Sequence, residues 1–110
     1  MTNRVTLNFA EDFTDAPGGR DRESGPSSAE EFREEVLLPA YTRADELSCE
    51  LLVDLDGIHG MASSFAEEAF GGLVRVEGCD KGRVQALLTL KSDEDPCLIE
   101  EINGFIADVE

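Results

Sequence analysis

The chain has 110 residues, of which 41% are hydrophobic and 31% are charged, a composition that fits one folded domain over residues 1–110. Its 25 acidic residues outnumber nine basic ones, and the resulting net charge of −16 repels phosphate backbones and disfavours nucleic-acid binding. Three cysteines fit neither a disulfide framework nor a zinc site, and no apolar segment suits a signal peptide or a membrane span. We therefore expect a cytoplasmic domain that binds neither nucleic acid nor membrane.

Alternating apolar residues predict a strand near the N-terminus. Val5, Leu7 and Phe9 fall on one face of residues 4–9, which is the pattern of a half-buried strand and suits the edge of a sheet. Residues 10–27 contain Pro-Gly-Gly and Gly-Pro turn signals, and they are expected to form a long loop.

A first helix is predicted to begin after this loop. Ser28 and Glu31 have the spacing of a capping box, in which a hydroxyl and a glutamate satisfy the first backbone N–H groups. Apolar residues at helical spacing follow: Phe32, Val36, Ala40 and Ala44. Pro39 lies inside this pattern and is expected to kink the helix or to start a second short one.

The middle of the chain predicts a buried strand and a second helix. Residues 50–55, ELLVDL, form a nearly continuous apolar run, which indicates a central parallel strand covered on both faces. Ser64 and Glu67 form a second capping box. The helix after it has an apolar stripe of Phe65, Ala69 and Leu73, with Phe70 and Val74 beside it.

The last third predicts a turn, a strand and a final helix. Residues 78–82 are polar, and residues 84–90, VQALLTL, indicate another apolar strand. Asp95 suits the N-cap position and Pro96 the first position of a helix. The stripe of that helix consists of Leu98, Ile102, Phe105, Ile106 and Val109.

The order strand, helix, strand, helix, strand, helix implies parallel pairing through right-handed crossovers. We therefore predict an α/β fold, a small sandwich with a central, mostly parallel sheet and helices packed on it. In such sheets, ligands bind beyond the carboxyl ends of the strands. Residues 56–64 are expected there, and loop 10–27 shares that edge if the first strand runs parallel to the central one.

The run LLVDLDGIHGMASSFAEEAFGGLVR, residues 51–75, resembles the core of the STAS-like domains of unknown function. PGGR at residues 17–20 and SAEEFREEVLLPAY at residues 28–41 resemble the glycine-arginine loop and the capped helix of that family. The resemblance covers roughly residues 5–106. It implies a fold similar to the STAS domain of sulfate transporters and anti-sigma-factor antagonists.

The resemblance also implies a candidate switch. In antagonists of that fold, a histidine-kinase-like ATPase phosphorylates a serine at a helix start, and this releases the partner. Ser63 or Ser64 would hold the equivalent position, although the sequence departs from the antagonists' pattern at Ala62 and Phe65. The alternative to phosphorylation is that the two serines only cap a helix.

Arg20 follows two glycines, which allow the backbone to approach a carboxylate or phosphate closely. We expect it to meet Glu67, Glu68 or an anion near Ser63 if the two loops share an edge, and the alternative is a solvated loop arginine. Gly71-Gly72 within a helix indicates either a tight helix–sheet contact or a flat patch for a partner backbone.

No catalytic constellation is apparent. Asp54 and Asp56 share a strand face, but the chain has one histidine, His59, with no cysteine near it, so we expect neither a metal nor a cofactor. The candidate phosphorylation and partner-binding residues are Arg20, Asp56, Ser63, Ser64, Phe65, Glu67, Glu68, Gly71 and Gly72.

We therefore expect a non-catalytic regulatory domain, monomeric or weakly homodimeric, that binds a protein partner through residues 56–70. The expected partner is a histidine-kinase-like ATPase or another signalling protein, with serine phosphorylation as the switch. One alternative is a small anion- or nucleotide-binding domain, or an enzyme, that uses the helix start at Ser63 and Ser64 together with Arg20. Another, suggested by the net charge of −16, is an acidic inhibitor that is antitoxin-like or mimics nucleic acid.

Overall fold

Three parallel strands organise the fold in the computed structural model, which describes residues 3–110. The strands are β1 (Arg4–Asn8), β2 (Glu50–Asp54) and β3 (Leu88–Lys91), and they lie in the order β1-β2-β3. Both pairings are parallel, with Val5 opposite Leu51 and Leu51 opposite Leu88. The predicted α/β class, the central position of β2 and the edge position of β1 are confirmed.

In the described part of the chain, residues 3–110, five helices pack with this sheet. They are α1 (Phe9–Asp12), α2 (the consecutive segments Ala29–Phe32, Arg33–Leu37 and Leu38–Leu47), α3 (the consecutive segments Ser63–Ala66, Glu67–Gly71 and Gly72–Arg75), α4 (Lys81–Leu87) and α5 (Pro96–Asp108). A 3₁₀ turn lies at Arg22–Ser24. Within residues 3–110, no helix combines the length and apolar character needed to cross a bilayer.

The segment predicted as a plain loop over residues 10–27 is partly helical. Asn8 caps α1, since its side-chain oxygen accepts a hydrogen bond from the Glu11 N–H at 3.0 Å. In return, the Asn8 N–H donates to the Asp12 carboxylate at 2.8 Å. Asp21 caps the 3₁₀ turn in the same way. Short polar side chains therefore order a stretch whose glycines and prolines alone indicated a loop.

The helix α2 begins where the sequence predicts but presents a different stripe to the core. Ser28 is its N-cap and accepts from the Glu31 N–H at 3.1 Å. Arg33–Leu37 forms a wide, π-helical turn that ends two residues before Pro39, where a regular α-helix would bring the proline ring against the carbonyl four residues earlier. The large apolar residues that α2 buries are consequently Phe32, Leu37 and Tyr41, and Ala44 is buried beside them, whereas Val36 and Ala40 are only half-buried.

The strand predicted over residues 84–90 is wrong for its first half. Asp80 is the N-cap of α4 and accepts from the Arg83 N–H at 2.9 Å. Val84 and Leu87, three residues apart, are both buried, as on one face of a helix. β3 then begins at Leu88.

All large helices lie on one face of the sheet. Successive right-handed crossovers in the order β1-β2-β3 advance in one direction, so they place their helices on the same side. The side chains that face this helical layer include Leu7, Leu51, Val53 and Leu90, all of them buried. The opposite face carries Arg4, Thr6, Glu50, Leu52, Asp54 and Thr89, all half-buried or exposed. The prediction that the central strand is covered on both faces is therefore wrong, although its apolar run suggested it.

Four phenylalanines form the centre of the helical layer. Phe9, Phe32, Phe65 and Phe70 are fully buried. The ring centroid of Phe32 lies 4.6 Å from that of Phe9 and about 6 Å from those of Phe65 and Phe70. This cluster joins α1, α2 and α3 and fixes the position of α3 over the sheet.

Candidate functional site

The carboxyl edge of the sheet brings together the loops that follow β1 and β2. The backbone N–H of His59 donates to the carbonyl oxygen of Asp15 at 2.8 Å. Gly57, which has φ +89°, faces the Ala10 side chain. The predicted meeting of the 10–27 segment with residues 56–64 at one edge is confirmed.

Lys91 at the end of β3 joins three aspartates at this edge. Its ammonium Nζ lies 2.7 Å from Asp56 Oδ2, 3.1 Å from Asp93 Oδ2 and 3.9 Å from Asp54 Oδ2. The hydrogen bond from Lys91, with a further one from the Glu94 N–H, lowers the pKa of Asp56 to about 2. The hydrogen bond to Asp56 in turn raises the pKa of Lys91. Asp56 is therefore an ionised group that ties the ends of β2 and β3 together.

The role of Lys91 was not predicted from the sequence. Its position at the end of an apolar strand, next to the strand that leads to Asp54 and Asp56, could have indicated it. The prediction that Asp54 and Asp56 share a strand face is wrong, because β2 ends at Asp54 and Asp56 lies in the turn after it, although Lys91 reaches both. Among the side chains of residues 3–110, no group of three or more His, Cys, Asp or Glu is arranged to hold a metal ion.

Ser63 and Ser64 lie exposed in the first turn of α3. The N-cap is Ala62, whose carbonyl oxygen accepts from the N–H groups of Phe65 and Ala66 at 3.0 and 3.1 Å. The predicted capping box of Ser64 with Glu67 is therefore wrong, because Ser64 is already inside the helix. Both hydroxyls are open to solvent instead of bonding the helix start.

Glu67 and Glu68 bind Arg20 one turn further along α3. Arg20 Nη1 lies 2.7 Å from Glu67 Oε1 and 3.1 Å from Glu68 Oε1. Arg75 Nη2 reaches the other oxygen of Glu67 at 2.9 Å. The hydrogen bond to Glu67 raises the pKa of Arg20 most, against the opposing effect of burial. The predicted meeting of Arg20 with these glutamates is confirmed. The two carboxylates therefore already balance the positive charge of the Arg20 guanidinium.

Backbone bonds hold the Arg20 loop in place. The N–H groups of Ala29 and Glu30 donate to the carbonyl oxygens of Gly19 and Arg20 at 2.9 and 3.0 Å. The first turn of α2 therefore uses its free donors to fix the loop, and the loop directs Arg20 towards α3.

Arg33 is a buried arginine that sequence reasoning did not find. Its Nε donates to Glu77 Oε2 at 2.9 Å, and its Nη1 donates to both the carbonyl and the carboxylate of Glu68. Burial opposes the charge of Arg33, but the hydrogen bonds to Glu77 and Glu68 outweigh it and raise its pKa. For Glu68, burial is likewise outweighed by Arg33 and Arg20, and its pKa is lowered.

The model of the family described as STAS-like domain of unknown function (DUF4325) matches residues 28–96, more than half of the chain. The chain belongs to this family. The match runs from the Ser28 cap of α2 to the first residue of α5, and the loop that carries Arg20 precedes it. No curated protein and no solved structure matches the chain.

Three of the candidate residues lie in the interior of this STAS-like domain. Phe65, Gly71 and Gly72 are fully buried or nearly so. A Cβ added at Gly72 would lie 2.8 Å from Arg33 Nη1, so the glycine makes room for the guanidinium. The predicted flat patch for a partner backbone is therefore wrong, and a tight internal contact takes its place, between two helices and not between helix and sheet. Arg20, Asp56, Ser63, Ser64, Glu67 and Glu68 keep part or all of their side chains at the surface.

Proposed function

We propose that this STAS-like domain is a regulatory module without catalytic activity, and that a protein partner binds it around the start of α3. The observation that carries the proposal is the exposure of Ser63 and Ser64 in the first helical turn at the carboxyl edge of the sheet. This is the edge at which open parallel sheets place their binding sites. Phe65, next to Ser64, is buried in the phenylalanine cluster and attaches the start of α3 to the core.

The partner that we propose is a histidine-kinase-like ATPase, which modifies Ser63 or Ser64. A phosphoserine there carries a charge of about −1.5 to −2, close to the partial positive charge of the helix start. Glu67 and Glu68, one turn away, oppose that charge, but Arg20, Arg33 and Arg75 already balance them. The similarity to anti-sigma-factor antagonists supports the same choice of partner.

Incubation of the full chain with a histidine-kinase-like ATPase of its own organism and ATP tests the proposal. We expect a complex by size-exclusion chromatography, and phosphate on Ser63 or Ser64 by peptide mass spectrometry. The variants Ser63→Ala and Ser64→Ala should identify the acceptor, and Ser24→Ala, at an exposed serine of the 3₁₀ turn, is the matched control. The proposal fails if no such ATPase binds the chain and neither serine is modified.

The role of Arg20 in this surface has a separate test. We expect Arg20→Ala to weaken partner binding more than it lowers thermal stability, because its side chain is partly exposed while its loop is held by backbone bonds. A lower melting temperature with unchanged partner binding would contradict this role. The anion- or nucleotide-binding alternative is less favoured, since two glutamates already occupy Arg20. A thermal-shift series with phosphate and nucleotides tests it directly.

A further inference from the structure

A small pocket opens at the carboxyl edge of the sheet, between the segment that follows β2 and the segment that joins β3 to α5. Its volume is about 160 Å³. Its apolar wall includes Leu55, Ile58, Met61 and Leu98. Leu55 and Leu98 belong to the core, while Ile58 and Met61 are half-buried in the loop that leads to Ser63.

The volume of the pocket limits what it can hold. Sites for cofactors and other small molecules usually measure about 300–1,000 Å³. A pocket of about 160 Å³ is too small for a nucleotide but suits one large apolar side chain. Protein interfaces commonly concentrate their binding energy in such a single anchor, inserted into a pocket and surrounded by polar contacts.

The opening of the pocket is acidic. Glu94 and Asp95 line it, and the neighbouring Asp93 is 82% exposed. Lys91, next to Ser92 of the pocket wall, is already engaged by Asp56 and Asp93. A negative rim on a chain of net charge −16 favours a partner segment with positive charge.

Hydrogen bonds hold the walls of the pocket together. The Gly57 N–H donates to the Glu94 carboxylate, and the Glu94 N–H donates to Asp56 Oδ1 at 3.0 Å. The Asp95 N–H donates to Ser92 Oγ at 3.1 Å. A pocket formed before binding costs less entropy to occupy than one that must order its loops.

We propose that this pocket receives one large apolar side chain of a protein partner, on a segment whose flanking residues are basic. The inference rests on the proposed function, in that the partner binds at the carboxyl edge of the sheet. It adds the chemistry of the contact: an aliphatic or aromatic anchor between lysines or arginines.

Short synthetic peptides test this chemistry on the full chain. The probes carry Leu, Met or Phe at the centre and Lys or Arg on both sides, and matched peptides have a central Ala or flanking Glu. In titrations of isotope-labelled protein followed by NMR, we expect amide shifts around Ile58, Met61 and Asp95. The central Ala should weaken binding about tenfold through lost apolar burial. Added salt should weaken it further.

A pair of charge-reversed variants localises the contact. Asp95 precedes the first residue of α5 and Asp108 is its last, so these two exposed residues lie about 20 Å apart along the helix axis. Asp95→Lys should weaken peptide binding about tenfold, whereas Asp108→Lys, with the same change in net charge, should have at most about a twofold effect. Circular dichroism checks that both variants are folded.

The inference is overturned if no basic peptide shifts the pocket amides, or if the Ala-centred and Leu-centred peptides bind equally. The proposed function has a different failure. If the ATPase binds and modifies the chain but Asp95→Lys leaves that complex unchanged, the anchor inference alone is wrong. If the peptides occupy the pocket while no ATPase binds or modifies the chain, the proposed function alone is wrong.

Discussion

Replacing Arg33 with methionine removes the charge of the most buried arginine while keeping most of its aliphatic volume. The side chain is 3% exposed and pairs with Glu68 and Glu77, whose side chains are 15% and 19% exposed. Breaking a buried pair by removing one partner costs about 3–5 kcal/mol. Both glutamates keep some contact with water, and Glu68 keeps its ion pair with Arg20. We therefore expect the free energy of unfolding to fall by an amount at the lower end of this range, about 3 kcal/mol.

Such a loss is measurable in a domain of this size. Single domains are stable by about 5–15 kcal/mol, so the variant should still fold. A loss of about 3 kcal/mol corresponds to a fall of about 15 °C in melting temperature. Urea unfolding followed by far-ultraviolet circular dichroism gives the free energy of unfolding, and a thermal scan gives the melting temperature.

Arg22→Met is the matched control. Arg22 also pairs with two glutamates, Glu34 and Glu35, but its side chain is 45% exposed. We expect its unfolding midpoint to stay close to that of the parent chain, since exposed ion pairs contribute little. A variant Arg33→Met as stable as the parent, or more so, would refute the reasoning, because the buried pairs would then add no net stability.

Three further predictions concern single positions. Gly72→Ala should lower the free energy of unfolding, measured in urea, by about 2 kcal/mol, because the added Cβ would displace a buried guanidinium. Gly104→Ala, whose added Cβ would meet open space, should raise it by about 0.5–1 kcal/mol. An equal gain at both glycines would contradict this. Glu68 has a pKa lowered from 4.5, so it stabilises the fold above pH of about 4.5, and this contribution is lost as the pH falls through the lowered value. Glu68→Gln should therefore be less stable than the parent chain near neutral pH and should lose less stability on acidification. If the stability of both proteins depends on pH in the same way, Glu68 does not have this stabilising role. Asp80→Ala should cost about 1 kcal/mol by removing the cap of α4, and an unchanged melting temperature would count against that cap.

The parallel topology was predictable because the relevant signals are local and repeated. Ser28 caps α2 as its spacing predicts, and the apolar run over 50–55 forms the central strand. Residues 84–87 were not assigned correctly, because Val84 and Leu87 fit the pattern of a helix face as well as that of a continuous strand. The Asp80 cap was the feature that distinguished the two.

The one-sided sheet was harder to foresee. An apolar strand such as ELLVDL usually indicates cover on both faces, yet only the face of Leu51 and Val53 is buried. Strand order decides this outcome, since crossovers on successive neighbouring strands fall on one side. Nothing within the strand itself encodes that order.

The candidate site was predictable in part. The meeting of Arg20 with Glu67 and Glu68 follows from the parallel topology, which brings the two loops to one edge. The buried Arg33 was not predicted, since a charged residue on a helix is most often solvated. Gly72 was the sign that something approaches α3 closely, but a glycine does not identify its neighbour.

The wide turn in α2, Arg33–Leu37, contains one residue more than a regular α-helical turn would need. Phe32 and Leu37, both buried, are five residues apart where a regular α-helix would use four. A chain lacking one of the exposed residues Glu34 or Glu35 would still align the same side chains with the core, now through ordinary α-helical spacing. That shorter helix would set the ring of Pro39 against a carbonyl group one turn earlier. The wide turn is therefore compatible with Pro39, whereas the shorter, regular helix is not.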